Sequence, residues 1–126
     1  LTPLRMQAYE RLVLLMERLS PNSLILRVKQ NGMSSEDLHN AMIREVISEY
    51  EHNITQQLYV SESTWKYVKS AKESVLNLLS NAKQKIDPSS DAIELSRSVF
   101  NEFSRLSISP TSAAIQKLKK EAQENF

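Results

Sequence analysis

One glycine and four prolines punctuate all 126 residues, and this scarcity of chain-breaking residues limits the fold more than any other feature. A sheet-rich domain needs turn residues at regular intervals, and no alternating β-branched run here is bounded by hairpin turns. Three prolines follow a capping residue, in Thr2-Pro3, Ser20-Pro21 and Ser109-Pro110, where proline at the first helical position loses no useful N–H. Asp87-Pro88-Ser89-Ser90 reads as a turn. Ser34 with Asp37 is a shortened variant of the capping box, and Ser61 caps a segment beginning at Glu62.

These signals predict an all-α fold with helices over 3–19, 21–28, 35–58, 62–86, 90–106 and 110–124. Only Tyr59 to Ser61 separate the third from the fourth. The expected architecture is therefore a single-domain bundle of five to six helices around a long antiparallel hairpin, 35–58 against 62–86. Helix 62–86 places Trp65, Val68, Ala71, Val75, Leu78, Leu79, Ala82 and Ile86 in one arc. Its partner has a wider stripe of Leu38, Met42, Ile43, Val46, Ile47, Tyr50, Ile54 and Leu58. Residues 36–51 are mainly acidic and residues 66–85 mainly basic. An antiparallel hairpin would bring Glu49 near Lys69 or Lys72; alternatively, these are two solvated faces that differ in sign.

Sixteen basic and fifteen acidic residues give a net charge of +1, which offers no general attraction to nucleic acid. The absence of cysteine excludes disulfides and thiolate chemistry. Leu12 to Met16 is the longest aliphatic run and is too short to span a bilayer. A single glycine leaves no phosphate-cradling loop, and no serine sits in a Gly-x-Ser-x-Gly elbow. Lys117, Lys119 and Lys120 form a basic patch that reads as a helix end complementing its dipole or as a contact for an acidic surface.

Both histidines complete a Glu-x-x-His quartet, Glu36 with His39 and Glu49 with His52. A di-metal carboxylate site takes such quartets from two different helices. Here both lie on one predicted helix, about 20 Å apart at 1.5 Å per residue, so they cannot share a cluster within one chain. His39 falls near the middle of the apolar stripe, where a packed, hydrogen-bonded core or helix-end histidine is expected rather than a catalyst.

The stretch from Glu51 to Tyr59 stands out because it sets Asn53 and Gln57 on the face of Val46 and Tyr50, with His52 and Gln56 beside them. Amides on an inner face need partners. They either fix the register of the bundle or line a groove with Tyr59 and Trp65. The candidate partner-binding residues are therefore His52, Asn53, Gln56, Gln57, Tyr59 and Trp65. The alternative is a small-ligand or metal-binding protein that uses His52 with Glu49 or Glu51. No catalytic residue and no cofactor are indicated.

The segments Thr2 to Arg11, Ser20-Pro21-Asn22, Glu51-His52-Asn53, Gln56-Gln57, Tyr59 and Trp65 resemble an uncharacterised family of small bacterial proteins. Val68-Lys69, Ala71-Lys72-Glu73 and Ala92 to Arg97 extend the resemblance to about residue 100. Its members typically carry one membrane-spanning segment and a charged linker before a domain of this kind. The resemblance implies that this chain is the soluble fragment of a longer protein of the bacterial inner membrane, facing the cytoplasm. The chain opens Leu1-Thr2-Pro3 without an initiator methionine, which agrees with that expectation. The function expected is a non-enzymatic interaction or scaffold domain with a protein partner.

Overall fold

The computed structural model describes residues 2–125. Among them are six α-helices, α1 (Thr2–Arg18), α2 (Pro21–Val28), α3 (Ser35–His52), α4 (Glu62–Gln84), α5 (Ala92–Ser104) and α6 (Ser112–Asn125). A 3-10 helix, Ile54–Tyr59, lies between α3 and α4. The all-α prediction holds, and the helices pack as a bundle. Helix α4 packs against α1, α3, α5 and α6, while α3 also meets α2 and α5. Helix α6 lies against α1 and α4 and buries Ala114 and Leu118.

Leu12, Leu15 and Met16 of α1 join Leu38, Met42 and Val46 of α3 and Val68, Val75 and Leu79 of α4 in the core. Leu24, Leu95 and Leu118 bring the remaining helices into the same cluster. Truncating a fully buried leucine such as Leu79 to alanine removes about 2–5 kcal/mol of stability.

The predicted caps show why the helices begin where they do. The Ser34 side chain accepts from the Asp37 N–H, and the Asp37 carboxylate accepts from the Ser34 N–H. Gly32, at φ 84°, supplies the left-handed turn before this box. The start of α3 lies beside the start of α5. The Ser35 N–H donates to the Ser90 carbonyl at 2.8 Å, and the Ala92 N–H donates to the Met33 carbonyl at 3.1 Å. Two helix N-termini thereby satisfy part of each other's unpaired backbone. Asp91 caps α5 by accepting from the Ile93 N–H, so this helix begins two residues later than expected. Ser20 makes no side-chain cap bond, and Pro21 opens α2 without one. Pro110 lies in a turn ahead of α6 rather than at its first position.

The largest departure is in 35–58. The α-helix stops at His52 because the Asn53 side chain donates to the Glu49 carbonyl at 2.8 Å. That carbonyl is the acceptor an uninterrupted helix would offer to the Asn53 backbone. The Asn53 N–H turns to the Tyr50 carbonyl instead, and the chain tightens into the 3-10 helix. A 3-10 helix advances about 120° per residue rather than 100°, so the stripe loses its phase. Ile54 and Leu58, expected inside, are 39% and 77% exposed, and Ile47 on α3 is also exposed. The 3-10 helix packs on α1 and α3, so the hairpin is α3 against α4 with this segment as a spacer.

Glu49 does not pair with Lys69 or Lys72. It accepts from Arg18 of α1 and lies 3.9 Å from Arg27 of α2, tying three helices together. Lys72 instead sits 2.9 Å from Glu73 and 4.4 Å above the Tyr50 ring.

Candidate functional site

The break at Asn53 divides the polar segment into a packed half and an open half. Asn53 is buried, and its Oδ1 accepts from Arg11 Nε at 3.2 Å. Arg11 Nη2 also donates to the His52 carbonyl, so one arginine of α1 holds the end of α3. Gln56 is buried. Trp65 is half-buried, and its ring centroid lies 5.6 Å from that of Tyr50. Asn53 thus ties the end of α3 to α1, and Trp65 joins α4 to α3.

His52, Gln57 and Tyr59 make up the open half. His52 is exposed, and its Nδ1 lies 2.7 Å from the Ser48 carbonyl. A carbonyl only accepts, so Nδ1 carries the proton. Gln57 is exposed, and its amide donates to the Ile54 carbonyl at 3.0 Å. Tyr59 is half-buried at the mouth of a cleft of about 420 Å³ lined also by Arg5, Leu58, Ser61, Glu121 and Asn125. The structure therefore does not gather the six candidates into one groove.

The inner wall of this cleft is a carboxylate that the sequence analysis did not single out. Glu121 is buried and accepts from the Tyr9 hydroxyl at 2.7 Å, the Ser61 N–H at 3.0 Å and the Thr64 hydroxyl at 2.8 Å. Burial alone would raise its pKa, but the donors from Ser61, Tyr9 and Thr64 outweigh it and lower the pKa to about 2. Burial first, and then the bond to Glu121, push the Tyr9 pKa up, which keeps its hydroxyl a donor. An ionised carboxylate with its lone pairs so occupied is poorly suited to moving protons. It clamps α1, α4 and α6 at the cleft. A signal for it was present, because Glu121 continues the spacing of Ala114 and Leu118 along the inner stripe of α6.

His39 is buried as its place in the stripe predicted, but it is not the hydrogen-bonded residue expected, because neither ring nitrogen reaches hydrogen-bond geometry with a partner. Burial, and secondarily the charge of Lys83, lower its pKa, while a contact with Asn40 that falls short of a hydrogen bond opposes them. Of the residues in the alternative reading, Glu49 is committed to its arginines. Glu51 and His52 share a shallow pocket of about 480 Å³ on α3 with Arg44, Ile47 and Ser48. Among the described residues no group of three histidine or carboxylate side chains is arranged to hold a metal ion.

Residues 1–125 match the model of DUF7935, a family of unknown function. The chain belongs to that family. No curated protein and no solved structure matches it. Family membership fits the expected resemblance to an uncharacterised family and assigns no role to any residue. Among the described residues no helix is long and apolar enough to cross a membrane.

Proposed function

We propose that this chain is a non-enzymatic protein-interaction or scaffold domain whose contact surface is the cleft beside the 3-10 helix. A segment preceding residue 1 holds it at the cytoplasmic face of a bacterial inner membrane. The carrying observation is Leu58, 77% exposed at the rim of a cleft braced by the ionised Glu121. A rigid cleft with an exposed apolar residue, a tyrosine and an arginine has the makings of an interaction hot spot. Arg5 lines the same cleft, interacts with the Tyr9 hydroxyl and ion-pairs with none of the described carboxylates. The partner is therefore a protein segment that lays an apolar side chain on Leu58 and offers a carboxylate to Arg5. The bacterial source and the anchor rest on the family resemblance.

The test is a photoreactive benzophenone side chain placed at position 58 of the full-length protein in its host. Position 26, an exposed leucine on α2, is the control. One protein adduct at 58, lost with Arg5→Glu and absent at 26, is the expected result. No adduct at 58, or the same adducts at both positions, refutes the reading.

A second reading, a small ligand held by Glu51 and His52, is favoured by their shared pocket. It requires thermal stabilisation by that ligand that His52→Ala abolishes.

A further inference from the structure

A second surface, independent of that cleft, lies along the outer seam of α1 and α6. Tyr9, Val13, Leu118 and Ala122 line an almost wholly apolar groove of about 470 Å³. Leu14 stands beside it with 58% of its surface exposed. Glu10 and Glu17 flank the groove on the α1 side, two helical turns apart, and Lys119 flanks it on the α6 side. None of these three charges takes part in an ion pair among the described residues, although seven ion pairs form elsewhere. We propose that this groove is the contact face of a symmetric dimer of this chain.

The charge arrangement selects a second copy as the occupant. A two-fold axis through an apolar stripe lays α1 of one protomer over α6 of its partner. The acidic edge of each copy then faces the basic edge of the other, and both ends of the interface are paired at once. Leu14 of each copy is carried over the apolar floor of the other. The groove thus supplies its own complement in shape and in sign. Charges at such an edge fix register and partner choice, while burial of Leu14, Val13 and Ala122 supplies the driving force.

Sedimentation equilibrium of the full chain over a wide concentration range tests this. The expected result is a reversible dimer that weakens with added salt. Leu14→Glu gives a monomer with unchanged helix content that melts as the parent does at concentrations where the parent is monomeric. Glu17→Lys or Lys119→Glu alone weakens dimerisation about tenfold, and the two together restore it to within about threefold of the parent. The substituted side chains lie at the surface, and circular dichroism of each variant separates loss of contact from loss of fold. A parent protein that stays monomeric, or a Leu14→Glu variant that dimerises like the parent, overturns the proposal. Failure of the charge-swapped pair to recover overturns it as well.

Discussion

Tyr9 and Glu121, 112 positions apart in the sequence, are joined by a 2.7 Å hydrogen bond that closes the first helix on the last. The same carboxylate accepts from Ser61 and Thr64 at the start of α4, so one side chain fastens three helices beside the cleft.

Glu121 should make stability depend on pH in the acid range. Its folded pKa, about 2, lies below the ordinary 4.5, so the stabilisation is fully present above pH 4.5 and disappears as pH falls toward 2. At neutral pH the difference corresponds to about 3 kcal/mol. Urea unfolding should show Glu121→Gln less stable than the parent by about that amount at pH 7. The two curves should approach each other at pH 3; a gap that does not change with pH would refute this role.

His39 should act in a separate window. Its folded pKa is lowered from 6.5, so on acidification the unfolded chain takes up the proton first. Stability is therefore greatest above pH 6.5 and declines below it, until the folded pKa is passed. His39→Leu removes this decline and the two unpartnered ring nitrogens together. Urea midpoints at pH 7.5 and 5.5 should differ less in the variant than in the parent. An equal difference would mean that His39 does not contribute.

Much of this architecture is legible in local signals. The Ser34–Asp37 box, the Ser61 cap and the apolar arc of α4 depend on residues close in sequence, and all are present as read except Ile86, which lies past the end of the helix at Gln84. What was not legible depends on competition or on distance. Nothing local distinguishes an Asn53 that continues a helix from one whose side chain takes the Glu49 carbonyl; Arg11, 42 residues away, helps to hold the second arrangement. That one bond moved Ile54 and Leu58 from core to surface and split the predicted site. The partners of Glu49 were likewise set by where α1 and α2 dock, which charge patterning within the hairpin does not encode.

Glu49 should matter to the fold. Its side chain is 17% exposed and faces Arg18 and the half-buried Arg27, whose Nε and Nη2 make no hydrogen bond. Glu49→Gln leaves Arg18 without its carboxylate and Arg27 with Glu45 alone, and should lower unfolding free energy by about 1–3 kcal/mol. Adding Arg18→Gln should cost less than in the parent, as a double-mutant cycle would show. Strict additivity would mean that the pair is energetically silent.

Unfolding free energies of Asn53→Ala and Leu58→Asp, measured side by side at neutral pH, test most directly whether the polar segment divides into a packed and an open half. Asn53→Ala removes the bonds to Arg11 and to the Glu49 carbonyl and should destabilise by about 1–2 kcal/mol. Leu58→Asp alters a side chain that is 77% exposed and should stay within about 0.5 kcal/mol of the parent. A silent Asn53→Ala, or a Leu58→Asp that loosens the fold as much as Asn53→Ala, would contradict the division on which the proposed contact surface rests.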